Sequence, residues 1–186
     1  MARNYNTAFA PYPLVSSADV LVTDADVAAF PVPVGGLVQE TDSDKVYRLV
    51  CFDSAATDAT IDFTVKCVTY CKSGCVAGGA WIVGQDVSDT SGVVAGVCPQ
   101  TIDVSALSSD VYGYIQVAGS CEVTNHDTSC PLGSELVSNN ADAGNTDVRA
   151  TLELAIGIVV ADAGTGTPVV DLFVPGPGVM KVQDNS

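Results

Sequence analysis

Short runs of alternating apolar and polar residues dominate the chain from residue 35 onward, separated by turn-forming residues. GLVQE and KVYRLVCF flank the polar stretch TDSD, which predicts a β-hairpin over residues 36–52. Similar runs predict strands within residues 61–71, 80–87, 92–98, 111–123, 134–138, 151–161 and 169–176. Helical periodicity with capping residues is weak throughout, and only residues 101–110 are compatible with a helical turn or short helix. The pattern therefore predicts an all-β fold, a compact antiparallel β-barrel or sandwich with little helix.

The run at residues 111–123, VYGYIQVAGSCEV, carries two glycines on the same face as its aliphatic residues. In steps of two, Gly113 and Gly119 share a side with Ile115 and Val117, which indicates a half-buried strand. A glycine inside a strand adds no side chain to the core and is usual where a sheet bends or another backbone lies close. We therefore expect both glycines on the concave side of a coiled sheet that closes a small barrel.

The run TLELAIGIVVA at residues 151–161 does not alternate. It is apolar on almost every residue from 154 to 160. Strands of this kind are usually buried on both faces, so we expect other parts of the protein to cover both sides of this one.

The first 36 residues differ from the rest because they contain four prolines and the acidic stretch TDAD. Proline fixes its own backbone and favours an extended conformation in the preceding residue. The sequence therefore predicts an extended N-terminal arm over residues 1–36, with one short strand at 19–23. A β-barrel domain over residues 37–175 and a C-terminal tail over residues 176–186 follow.

Composition and charge narrow the function classes. The chain has 186 residues, of which 47% are hydrophobic, and 22 acidic residues outnumber seven basic ones to give a net charge of −15. A nucleic-acid-binding protein needs a basic surface, so we expect no nucleic-acid partner. No apolar run reaches the ~18 residues of a membrane helix, and the N-terminus lacks a signal-peptide pattern. We therefore expect synthesis in a cytoplasm and no membrane partner.

Seven cysteines are many for a cytoplasmic protein, and their odd number excludes complete pairing within one chain. Cys51 and Cys121 lie in apolar contexts and are expected to be small buried thiols. Cys67, Cys71 and Cys75 are spaced four residues apart. That spacing lacks the paired knuckles of common zinc sites, which favours thiols, while a disulfide and a zinc site remain alternatives.

Residues that would indicate catalysis or metal binding are sparse. The single histidine, His126, lies in the polar loop TNHDTSC without an evident nucleophile beside it. The stretch SNNADAGNTD at 138–147 is rich in oxygen ligands, but it does not follow the twelve-residue calcium-loop pattern. We therefore predict no enzymatic activity, no cofactor and no metal site.

The order of several strands resembles the small β-barrel decoration, or cement, proteins of tailed-bacteriophage capsids. The resemblance spans residues 46–174 and departs from the family pattern at Tyr114, where tryptophan is frequent, around Cys67 to Cys75, and in the arm. The segments that carry it are KVYRLVCF, VVAGVCPQTI, DVYGYIQVAGSCEV, PLGSELVS, LAIGIVVA and VVDLFV.

The resemblance implies a virion protein on the outer capsid surface, assembled in the host cytoplasm as a homotrimer that ties major capsid subunits together. An extended arm that lies on a neighbour can gain main-chain hydrogen bonds, and aromatic residues often anchor such contacts. The arm residues expected to contact the capsid or a sister protomer are Arg3, Tyr5, Phe9, Tyr12 and Leu14. Two alternatives are another virion component, such as a head spike, tail or baseplate module, and a carbohydrate-binding module that stacks sugars on Tyr112, Tyr114 and Trp81.

Overall fold

The structure is a computed structural model, and it describes residues 33–39, 43–52, 63–72, 81–84, 90–101, 111–126, 129–138, 145–148, 155–161 and 166–174. These residues contain strands and turns but no helix. The strands are β1 (Leu37–Gln39), β2 (Val46–Phe52), β3 (Val68–Lys72), β4 (Ile82–Gly84), β5 (Thr90–Val97), β6 (Val111–Glu122), β7 (Glu135–Ser138), β8 (Thr146–Val148), β9 (Gly157–Ala161) and β10 (Val169–Phe173). The predicted all-β fold is confirmed.

Five of the strands close into a barrel, in the order β2, β4, β3, β5 and β6. The barrel closes where β6 pairs antiparallel with β2, from Val46 opposite Ala118 to Phe52 opposite Val111. Strand β4 is parallel to β2, and the other neighbouring pairs in the barrel are antiparallel. A closed barrel leaves no exposed edge among its own strands, which gives the protein a rigid centre.

The remaining strands extend the barrel on two sides. Strand β1 pairs with β2, and this pair is the hairpin predicted for residues 36–52. On the other side, β10 pairs with the last part of β6, from Val169 opposite Glu122 to Phe173 opposite Ala118. Strands β9, β7 and β8 follow β10 in that order, and we call β7 to β10 the outer sheet.

The core formed by the described residues consists of two clusters. The main cluster includes Phe52, Phe63, Tyr70 and Ile115, and it extends to Leu172 in the outer sheet. A second, smaller cluster contains Val38, Tyr47, Leu49 and Tyr114. Its members come from β1, β2 and β6, so the first half of β6 is buried on both faces. The sequence predicted a half-buried strand there, because alternation within β6 does not reveal that β1 covers its second face.

Two strand predictions are wrong in part. The strand predicted over residues 61–71 is interrupted by a turn at Val65 and Lys66, and β3 begins only at Val68. The run at 151–161 forms β9, but Ile158 and Val160 are 40% and 51% exposed, so β9 is not covered on both faces. The arm (1–36), apart from residues 33–36, and the tail (176–186) lie outside the described residues.

Candidate functional site

A cleft of about 370 Å³ opens where the end of β6 meets the turns before β2 and β3. Lys45 lies just before β2, Lys66 lies just before β3, and Ser120 and Glu122 belong to β6. The remaining lining residues are Val65, Val97, Cys98, Pro99, Gln116, Cys121 and Val169. The cleft thus brings together two of the seven basic residues of a strongly acidic chain.

A sharp bend in β6 shapes this cleft. Gly119 has φ +82°, and a side chain there would collide with the backbone of Asp44 and Lys45. The Gln116 amide holds the bend, because its Nε2 donates to the carbonyl oxygens of residues 118, 119 and 120 at 3.1–3.3 Å. The Ser120 N–H donates to Asp44 Oδ2 at 2.8 Å, which ties the bend to the segment before β2. The expected close backbone approach is therefore confirmed at Gly119.

Lys66 occupies a backbone conformation that is unusual for its residue type. Its φ is +69°, in a turn where the Cys67 N–H donates to the Thr64 carbonyl oxygen at 3.1 Å. Lys66 N–H donates to the Cys98 oxygen and Cys98 N–H donates to the Cys67 oxygen, at 2.8 and 2.9 Å, which forms a β-bulge between the two chain segments. Glycine is usual at the first bulge position, so lysine adds strain of about 1–2 kcal/mol there. This geometry places Lys66 Nζ 2.7 Å from Glu122 Oε2 across the cleft.

Burial beside the cleft favours neutral thiols. The pKa of the Cys121 thiol is raised to about 12, chiefly by burial; Lys45 opposes this shift, and Asp44, Asp171 and Glu122 contribute to it. Burial also raises the pKa of the Cys98 thiol, and neighbouring Cys67 adds to the shift. A protonated thiol is a poor nucleophile and a poor metal ligand, so these two side chains are suited to packing rather than to chemistry.

A second group of polar and aromatic side chains lies outside the lining of the cleft. The guanidinium carbon of buried Arg48 is 4.2 Å from the centre of the Trp81 ring, which is a cation–π arrangement. Gly35 lies so close to the same ring that a methyl group there would overlap the indole. Tyr114 is buried and Tyr112 is partly buried. The exposed stacking surface suggested for Tyr112, Tyr114 and Trp81 is therefore not formed.

The outer sheet carries exposed apolar side chains beside the cleft. Ile158 and Val160 on β9 and Phe173 on β10 are 40–51% exposed. Leu132 is 70% exposed in the turn at residues 131–134, where the next residue donates its N–H to the Val159 carbonyl oxygen. The uninterrupted apolar run at 154–160 was the sequence signal for this surface, although it predicted burial and not exposure.

The arm residues predicted to make contacts, Arg3, Tyr5, Phe9, Tyr12 and Leu14, lie outside the described residues, as does Cys75. His126 is exposed, and its N–H donates to the Thr146 carbonyl oxygen. Cys51, Cys67, Cys71, Cys98, Cys121 and Cys130 are present as thiols. Within the described ranges, no three His, Cys, Asp or Glu side chains are grouped so that they could hold a metal ion.

No protein-family model matches the chain, and no curated protein or solved structure is significantly similar to it. In the part of the chain that the structure describes, no helix is long and apolar enough to cross a membrane. The described surface thus offers an apolar sheet face beside a cleft whose charged lining residues are Lys45, Lys66 and Glu122.

Proposed function

We propose that this protein is a non-enzymatic capsid decoration protein, which binds the outer surface of a phage capsid and stabilises contacts between major capsid subunits. The proposal depends mainly on one observation: the segments that resemble capsid decoration proteins form the strands that close the barrel. KVYRLVCF and DVYGYIQVAGSCEV contain β2 and β6, the two strands whose pairing closes the barrel. The other matching segments contain most of β5 and all of β7, β9 and β10.

The physical properties of the chain suit this role. A net charge of −15 keeps separate copies soluble at high concentration and opposes binding to DNA. A closed barrel provides a rigid body, because its five strands pair with one another all the way round. Repetition over a symmetric shell would multiply the effect of a modest contact through avidity, and the protein would act there as a homotrimer.

Co-sedimentation with capsids tests the proposal. Purified protein is mixed with heads assembled from the major capsid protein of the same genome, and bound copies per particle are counted by quantitative gel analysis or cryo-electron microscopy. We expect saturable binding with a copy number close to that of the capsid subunits, and greater resistance of the heads to heat. A few copies per virion would indicate a tail or spike component, and absence from virions would refute a virion role.

Deletion of residues 1–14 tests the predicted arm contacts of Tyr5, Phe9 and Tyr12. We expect weaker head binding and an unchanged unfolding transition, because these residues precede every strand of the barrel. The matched control is removal of residues 176–186 at the other end of the chain. Full head occupancy after deletion of residues 1–14 would show that the arm is not the anchor.

A further inference from the structure

Three exposed apolar residues form one surface on the outer sheet. Ile158 and Val160 lie on β9, and Phe173 lies on the neighbouring strand β10. Val160 is the extra residue of a β-bulge, because Val169 pairs with Ala161 while Val170 pairs with Val159. The bulge leaves both Val160 and Ala161 exposed. We call Ile158, Val160 and Phe173 the β9–β10 face.

Three acidic residues lie on or beside this face. Strand register places Glu135, Ile158 and Asp171 side by side in one row across β7, β9 and β10, so Ile158 lies between two carboxylates. Glu122 lies beside Val169 at the neighbouring position on β6. Glu135, Asp171 and Glu122 are all exposed. Lys66 pairs with Glu122, and Lys45 lines the cleft, so among the described residues three carboxylates outnumber two lysines at this surface.

We propose that the β9–β10 face is the docking surface for a protein partner that presents apolar side chains ringed by lysine or arginine. Apolar centres with charged rims are the usual anatomy of such interfaces, and complementary charge selects the partner. A second copy of this chain is disfavoured as the occupant, because paired faces would bring carboxylates against carboxylates. The proposal rests on the proposed function, in which the partner is the outer surface of the major capsid subunits.

The cleft extends the same face. Ser120 lies in the same row as Ile158 and Asp171, and it also lines the cleft. Glu122 and Val169 line the cleft as well. The surface therefore combines an exposed apolar strip with a concave margin that can receive a protruding side chain. Contacts of this kind bind best where a few apolar anchors are fully buried and the rim excludes water.

The test compares head binding of the full chain with that of a triple variant, Ile158→Thr, Val160→Thr and Phe173→Thr. Threonine is a β-branched residue that strands favour, and it removes apolar surface at each position. The matched control is Leu37→Thr, because Leu37 is 48% exposed on β1, outside the outer sheet. We expect the triple variant to lose roughly tenfold or more in affinity for heads, and the control to bind as the unchanged protein does. Thermal unfolding of each variant confirms that it is folded.

A second experiment tests the acidic residues at the rim of the face. The double variant Glu135→Gln and Asp171→Asn should bind heads several-fold more weakly at low salt and show a smaller decrease in binding as salt is added. If the unchanged protein does not bind heads, the proposed function fails and this inference fails with it. If it binds and the triple variant binds equally well, the function stands and the face is excluded. Sedimentation velocity that shows a changed oligomeric state in the triple variant, with intact head binding, would identify a second copy as the occupant and overturn the inference.

Discussion

Replacing Gly119 with alanine should destabilise the protein more than most single-methyl changes do. The added Cβ would lie 2.6 Å from the Asp44 carbonyl carbon and 2.9 Å from Lys45 Cα, and these are backbone atoms that cannot rotate away. The bend would have to open, and the hydrogen bond from Ser120 N–H to Asp44 Oδ2 would be strained with it. Overpacking of this kind costs about 1–3 kcal/mol.

The backbone conformation adds a second contribution. Gly119 has φ +82°, and a residue with a Cβ is less stable there by roughly 1 kcal/mol. The two effects together give a loss of about 3 kcal/mol in the free energy of unfolding. For a chain of this size that corresponds to a decrease in melting temperature of about 6–12 °C.

Gly133 provides a matched control. Its φ is +81°, but no atom lies within 4 Å of the position that its Cβ would take, so Gly133→Ala should lose only about 1 kcal/mol. Gly96→Ala isolates the steric contribution, because its Cβ would lie 2.7 Å from the Gln116 carbonyl oxygen while Gly96 has no positive φ. The assay is urea unfolding followed by circular dichroism. Equal losses for Gly119→Ala and Gly133→Ala would refute the steric argument.

Three further predictions concern Lys66, Trp81 and Cys121. Lys66→Gly should be more stable to urea than Lys66→Ala by about 1 kcal/mol, because both remove the ion pair but only glycine relieves the positive φ; equal stability would contradict the strain. Gly35→Ala should displace the indole of Trp81, the single tryptophan, and shift its fluorescence emission in the native state; an unchanged spectrum would contradict that contact. The raised pKa of the Cys121 thiol means that its contribution to stability is complete below the ordinary value of 9.0 and is lost as pH rises towards about 12. Cys121→Val should therefore reduce the alkaline decrease in the free energy of unfolding, and an identical pH profile would count against a buried neutral thiol.

The elements that were predictable from sequence are those whose cause is local. Alternation and the turn residues TDSD determine the β1–β2 hairpin, and the interior glycine at 119 indicated the bend in β6. The turn at Lys66 could not be predicted, because lysine does not favour a positive φ and the conformation depends on hydrogen bonds with residue 98, far along the chain. A strand pattern also reports which residues are apolar and not what covers them. Ile158 and Val160 therefore looked like core residues.

The cleft could not be predicted from the sequence for a related reason. Lys45, Lys66 and Glu122 lie in segments that are distant in sequence, and none of them belongs to a catalytic or metal-binding motif. Only the closure of β6 onto β2, together with the bulge before β3, brings them to one place. Register between distant strands is set by the whole sheet, so a single sequence carries little information about it.

The twelve-residue strand β6 belongs at once to the barrel and to the outer sheet, because it pairs first with β2 and then with β10. A force applied at β9 or β10 is therefore transmitted to the barrel through consecutive hydrogen bonds, and no flexible linker lies between β10 and β6 in the sheet. A force directed along β10 would load these bonds in shear, so several would have to break together before the two parts separate. In the capsid role proposed above, this arrangement would keep the outer sheet attached to the barrel under sustained tension.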